Sequence, residues 1–322
     1  MRITYLSGFI LLLFFSLFPI LVDPEESYLV YFFFLTFLYI TMAQAWNLVA
    51  GYAGQASLGQ HAFFGFGAYL TAITWKAGLT GYLDPLAMLI SGIGPALLAI
   101  VIGIPLLSKL RGDYFALGTL GLGEILRVIF TQGGSLTGGP VGLMLPSSAY
   151  QSMRPYYFIA FCIAIFALLA VLLLVRSRVG LALVAIREDE QAAAANGIHV
   201  LKFKIFAFAV GAFFTGLCGS LYAYYLFHIH PTGFFSLNWA LLPVLMTILG
   251  GIGTISGPIV GAFILAVVFE LANVWLPEIH PIFSGAFIIL VMLFIPQGIM
   301  NMSITSNKDQ LLYRIISFKR AS

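Results

Sequence analysis

The chain has 322 residues, of which 61% are hydrophobic and only 8% charged, with a formal net charge of +3. Soluble domains carry roughly 25% charged residues, and a soluble fold could not hide this much apolar surface. The composition therefore excludes a soluble enzyme or nucleic-acid binder and defines an all-α integral membrane protein, in which the bilayer acts as the apolar solvent.

A spanning helix needs about 20 mostly apolar residues. Apolar runs between polar or Gly/Pro breaks predict spans at 3–22, 28–50, 57–76, 85–108, 113–131, 155–175, 205–228, 236–250, 254–276 and 281–300. The expected architecture is a polytopic bundle of about ten helices, some broken by glycine, forming one membrane domain over 1–322. The first run follows Arg2 and precedes Asp23, Glu25 and Glu26. It is long for a signal core and lacks a small-residue cleavage site, so it reads as a membrane helix.

Basic residues concentrate on the cytoplasmic side of membrane proteins. With both ends cytoplasmic, twelve of the fifteen Lys and Arg lie inside, Lys76 and Arg154 lie outside, and Arg127 falls within a span. The reverse orientation would put the same twelve outside.

Four segments stand out along the chain. The first, Gly51–Gly67, places glycine at 51, 54, 59, 65 and 67 in an apolar region, with Asn47, Gln55, Ser57, Gln60 and His61 among them. Irregular backbone at membrane depth is tolerated only where protein or a water-filled cavity satisfies it. Glycines also serve plain helix packing, so a broken helix lining a solute pathway and a close helix contact are both open. His61 on its own suits a helix–helix hydrogen bond better than a proton relay.

The second segment, Arg111–Arg127, carries Glu124 and Arg127 three residues apart, on one helix face. Intramembrane charges mark function unless they neutralise each other, and this spacing favours a mutually neutralising pair.

The third is the polar island from Arg176 to Lys204, the one long inner connection between spans. Within it Ile186–Ala195 reads as a short helix with Arg187, Glu188, Asp189 and Glu190 near its start, Ala193 in an alanine run, and Asn196-Gly197 as its stop. It is either a solvated surface helix or a docking helix for a cytoplasmic partner.

The fourth, Leu249–Gly261, repeats the first: Gly51, Gly54 and Ser57 match Gly250, Gly253 and Ser256 at one constant offset, with Thr254 beside them. Paired Gly-interrupted segments point to an internal repeat with the pathway between its halves. The uncharged polar side chains of both segments suit a zwitterion or a neutral polar solute.

Nothing in the chain resembles a phosphate-binding GxxxxGK[ST] loop, HExxH, CxxC or GxSxG. Cys162 and Cys218 sit in apolar stretches as small hydrophobes. No metal site is expected, and no nucleotide is expected to bind this chain.

Taken together, WNLVAGYAGQASLGQHAFFGFGAYL, LRGDYFALGTLGLGEILR, TGGPVGL, VGLALVAIREDEQAAAANGI and the run from ILGGIGTISGP to IPQGIM resemble the branched-chain amino-acid permease family of bacterial ABC importers, and its M-type subunit in particular. The resemblance covers about Gln44 to Met300 in the family's order. It implies a multi-pass protein of the bacterial inner membrane that pairs with a second homologous permease. Two cytoplasmic ATP-binding subunits holding ATP and magnesium, and an extracytoplasmic solute-binding protein, complete the complex it implies. It also implies that 179–197 is the loop contacting an ATPase. Branched-chain or other neutral amino acids are the expected cargo, and urea or a short amide is the alternative. A stand-alone secondary transporter would want unpaired intramembrane acids for ion coupling, which the Glu124–Arg127 pairing opposes.

The charge asymmetry generates a labelling test. Cysteine placed at Ser148 should react with an impermeant thiol reagent on intact cells, and cysteine at Ser322 should not; labelling of the latter would overturn the orientation.

Overall fold

The computed structural model describes residues 14–22, 27–275, 285, 286, 289 and 298–301. Ten helices order the main body. They are α1 (Tyr28–Asn47), α2 (Gln60–Lys76), α3 (Pro85–Lys109), α4 (Asp113–Gln132), α5 (Arg154–Arg176), α6 (Arg178–Glu188), α7 (Glu190–Ala195), α8 (Val200–Leu226), α9 (Asn238–Gly250) and α10 (Gly257–Trp275). A further helical stretch lies at 14–21. Among the described residues, seven helical segments are long and apolar enough to cross a membrane. α2 has 17 residues and is shorter than these. The expected spans at 3–22 and 281–300 fall largely outside the described residues.

Helix starts follow local chemistry. Ser27 caps α1 by accepting from the Leu29 amide, and Asp84 caps α3 by accepting from the Leu86 amide at 2.8 Å with Pro85 in the first turn. Each side-chain oxygen satisfies an amide that has no partner within the helix. α4 starts after Gly112, whose φ of +54° turns the chain where a side chain would be strained.

α8 is the central post, packed along α2 and α3. Small residues bring these backbones together: a Cβ on Gly67 would strike the Gly216 carbonyl, and one on Gly219 would strike the Phe64 carbonyl. A hydroxyl knot ties the same three helices, with Thr71 Oγ1 2.7 Å from both Ser91 Oγ and Ser220 Oγ, all three residues buried. In lipid, tails are as apolar as leucine, so close packing and interhelical hydrogen bonds hold helices together. Toward one end of α8, tyrosines continue the scheme: Tyr156 donates to the Tyr224 carbonyl at 2.9 Å, and Tyr224 donates to the Gly81 carbonyl at 3.0 Å. At that end Leu143–Met144 and His228–Ile229 pair as a two-residue antiparallel ladder. The outward faces of α3 and α5 are apolar, with Leu97, Val101, Phe166 and Leu173 exposed.

Two expectations are corrected. The single helix over 186–195 is two helices, because Asp189 is extended (φ −156°, ψ 109°) and ends α6 while its side chain starts α7. Asp competes for nearby amides and so favours a cap over a helix interior. The span expected at 205–228 begins instead at Val200, so Lys202 and Lys204 belong to α8. A polarity-based boundary stops at lysines, but the helix runs through both of them and buries Lys204.

The close α2–α8 approach makes Gly219→Leu a sharp test. Overpacking typically costs about 1–3 kcal/mol, so the melting temperature of the detergent-solubilised protein should fall clearly. Gly121→Leu, where a Cβ meets nothing within 4 Å, should leave it nearly unchanged.

Candidate functional site

The two glycine-rich segments are both helix–break–helix units, α1–break–α2 and α9–break–α10, and the breaks lie against each other. α1 ends in a π-helical turn, Leu48–Tyr52. Gly54 then takes φ +68° and Gly253 takes φ +76°, the same left-handed conformation at matched positions of the repeated pattern. Contact is backbone to backbone: a Cβ on Gly51 would lie 2.7 Å from the Gly253 nitrogen.

α1 side chains close this seam. Asn47 accepts from the Gly253 amide through Oδ1 at 2.8 Å and donates through Nδ2 to the Thr254 carbonyl at 2.8 Å. One turn earlier, Gln44 donates to the Ile255 carbonyl at 2.5 Å. Thr254 Oγ1 donates to the Gly251 carbonyl at 2.8 Å and accepts from the Gly257 amide at 3.0 Å, which shapes the entry to α10. Gly250 packs directly on Gly257. Ser256 is half-buried at the same turn, where its carbonyl accepts from the Val260 amide at 3.1 Å.

The remaining residues of the first segment face α4 and α8 as well as the seam. Ser57 Oγ accepts from the Gly59 amide at 3.2 Å, and Trp46 donates to the Ser57 carbonyl at 2.7 Å. Gly59 lets the chain approach Thr119, whose Oγ1 accepts from the Leu58 amide at 3.0 Å. Gln60 donates to the Met42 carbonyl at 2.9 Å, and Gln55 donates to the Gly54 carbonyl at 3.2 Å. His61 is fully buried, its ring seated on Gly123, and among the described residues neither ring nitrogen has a hydrogen-bond partner. Close by on α4, Arg127 Nε donates to Glu124 at 2.8 Å, and both side chains are about 40% exposed.

The island reaches the same place. Arg187, at the end of α6, donates from Nη1 to the Gly51 carbonyl at 2.7 Å. Its stem runs over Gly54, where a Cβ would come within 3.0 Å of Arg187 Cγ; a Cβ on Gly253 would lie 3.0 Å from Nη1. Glu188 holds the other side of the guanidinium, accepting from Nε at 3.1 Å and from Nη2 at 2.5 Å. Asp189 caps α7 by accepting from the Gln191 and Ala192 amides at 2.8 and 2.9 Å. Glu190 pairs at 2.7 Å with Lys204 of α8, whose side chain is 1% exposed, and lies 4.0 Å from Arg111. Ala193 is buried against its own chain, whereas Ala192, Ala194 and Ala195 are exposed. Gly197 ends the island with φ +83°.

Gln44, Lys204 and Arg111 were missed by the sequence reading as parts of this assembly. Lys204 carried a signal, since a lysine that enters a 27-residue helix needs a carboxylate when buried. Gln44 carried none beyond its spacing from Asn47. Among the described residues, no group of three His, Cys, Asp or Glu could hold a metal ion. The arrangement offers no nucleophile–base pair; what it offers is a mechanical junction, in which one arginine bridges a surface helix to two broken spans.

These features define a polytopic helical membrane protein built around paired helix breaks. Residues 28–295 match the family described as the permease component of branched-chain amino acid transport systems, and the chain belongs to that family. It is 29% identical over 298 residues to the high-affinity branched-chain amino acid transport system permease protein LivM of Escherichia coli, covering 84% of this chain and 69% of that one. It is 25% identical over 282 residues to a probable LivM of Methanocaldococcus jannaschii, covering 74% and 79%. The LivH permease protein of Salmonella typhimurium is 34% identical over 137 residues, covering 42% and 44%. No solved structure matches the chain.

Asn47 generates the test of the seam. Asn47→Leu would strand the Gly253 amide and the Thr254 carbonyl, each loss costing on the order of 1–3 kcal/mol when buried. The expected result is a lower melting temperature with faster proteolysis within 251–256. Asn47→Asp, which keeps the acceptor for Gly253, should lose less.

Proposed function

We propose that this chain is the membrane-spanning subunit of an ATP-driven importer that carries branched-chain amino acids across a bacterial inner membrane. The family and the relatives' names support the cargo, and the chain's similarity to both LivM and LivH supports pairing with a second, homologous permease. About ten spans, with both termini cytoplasmic, agree with the run lengths and the basic residues. The island then lies at the cytoplasmic face, where two ATP-binding subunits would supply ATP and magnesium, and this chain would bind no cofactor itself. A solute-binding protein would deliver cargo to the opposite face.

One contact carries the mechanism: Arg187 to the Gly51 carbonyl. A permease without its own nucleotide site must receive work through a protein contact. The island offers two rigid attachments for it. Arg187 grips the junction of the two breaks, and the Glu190–Lys204 pair fixes α7 to the central post α8. A displacement of α6–α7 is thereby delivered both to the seam and to the bundle. Left-handed glycines at 54 and 253 can change backbone direction with little steric cost, so the breaks are hinges on which α2 and α10 swing around a pathway beside 51–59 and 250–257.

The test uses the complete transport complex in liposomes. Arg187→Gln should reduce ATP-driven leucine uptake at least tenfold while the subunit still inserts and assembles. Arg187→Lys, with one compact donor group, should fall between. Ala192→Trp with Ala194→Trp, both exposed and outside the clasp, should instead weaken ATPase association. Wild-type uptake by Arg187→Gln would make the island a passive surface.

A further inference from the structure

At the opposite end of the same three helices that form the seam, α1, α9 and α10 line an open cleft of about 370 Å³. That size lies at the small end of ligand sites, which run roughly 300–1,000 Å³. Its polar lining comes from Tyr28, Thr36, Tyr39, Asn238, Glu270 and Asn273, and Phe32, Leu242 and Ala266 are among its apolar lining. Glu270 is the chemical centre. It is half-buried near the C-terminal end of α10, and its Oε2 accepts from the Tyr28 hydroxyl at 2.8 Å. Among the described residues it has no cationic partner, unlike Glu124 and Glu190, which are both paired.

Glu270 sits at the end of the bundle where Tyr28 begins α1, and the hydrogen bond between them is exposed. The phenol hydrogen bond engages one carboxylate oxygen and leaves the other facing the cleft's neighbours. The surroundings suit a cation: a second carboxylate oxygen, and the aromatic side chains of Phe32, Tyr39 and Phe269, which also line the cleft; aromatic rings attract ammonium groups. The Asn238 and Asn273 amides can donate to a carboxylate, and Leu242 with Ala266 can receive a short aliphatic chain.

We propose that this cleft is a binding site for a primary ammonium group attached to a small apolar body, with Glu270 as the counter-charge. The cleft accepts that chemistry from two sources, a neutral amino acid entering the transporter or the ethanolamine headgroup of a lipid. The amino-acid source rests on the transport function proposed above. Its mechanical logic is that α1, α9 and α10 line the cleft at one end and carry the breaks at the other, so a swing at the breaks changes the cleft's width.

The experiment uses the transport complex purified with its accompanying subunits, in nanodiscs of phosphatidylcholine and phosphatidylglycerol. Three radiolabelled probes separate the chemistry: leucine, isoamylamine (no carboxylate) and 4-methylpentanoate (no ammonium). Leucine and isoamylamine should bind, and 4-methylpentanoate should not. Glu270→Gln, isosteric and still able to accept from Tyr28, should weaken both ammonium probes at least tenfold. Tyr28→Phe, which removes the hydroxyl and keeps the charge, should retain their binding. In nanodiscs containing phosphatidylethanolamine, competition with leucine that depends on Glu270 assigns the site to lipid; its absence assigns the site to solute. Equal binding by wild type and Glu270→Gln in every lipid, or retention of 4-methylpentanoate alone, overturns the proposal. If wild-type complex binds the ammonium probes at Glu270 yet transports no amino acid, the transport function fails and the site stands; if it transports leucine with Glu270→Gln unaffected in binding, the site fails and the function stands.

Discussion

Backbone that leaves a helix where protein packs closely around it must find hydrogen-bond partners there, and the structure is arranged around meeting that demand twice in one place. The break after α1 and the break after α9 abut through Gly51 and Gly253. Asn47 and Gln44 on α1 satisfy the amide and carbonyls of 253–255, and Arg187 satisfies the Gly51 carbonyl from outside the bundle. Each break alone would strand polar backbone; together, with three side chains, they form a closed polar joint. A joint held by hydrogen bonds and glycine contacts is also the natural place for motion, because few interdigitated side chains have to be repacked when it shifts.

The remainder of the bundle is fastened differently. α8 meets α2 and α3 through glycines and the Thr71–Ser91–Ser220 hydroxyls, contacts that are short, buried and numerous along a 27-residue helix. This makes α8 the helix to which much of the bundle is fastened. The buried Lys204, neutralised by Glu190, extends that fastening to the surface island. Removing one partner of such a pair leaves an uncompensated charge, which typically costs about 3–5 kcal/mol, so the island is bound to the post more firmly than its exposure suggests.

The island's charges turn out to be largely internal. Arg187 and Glu188 serve the seam, Asp189 caps α7, and Glu190 serves α8. The surface left for a partner is therefore the exposed alanine face, Ala192, Ala194 and Ala195, with the outward edge of Glu188. Small side chains there permit close approach, while the charges underneath hold the helix rigid.

Membrane class and most of the spans were legible in the sequence, because bilayer thickness sets run length and composition directly. The Gly54/Gly253 equivalence was legible too, since only glycine takes a left-handed turn freely and the two lie at one offset. So was the Glu124–Arg127 pair, because three residues along a helix fixes a common face. Other features had no linear signature. That Gly51 meets Gly253, that Asn47 reaches across to 253 and 254, and that Arg187 is the clasp between them are contacts across more than 130 residues, set by how helices pack. The division of the island at Asp189 was decided by a cap competing with a helix interior. The cleft around Glu270 is lined by residues of α1, α9 and α10 that lie far apart along the chain. Sequence determines what each segment must be in a bilayer; only the tertiary structure decides which polar groups find each other, because hydrogen bonds between helices depend on distances that no local pattern encodes.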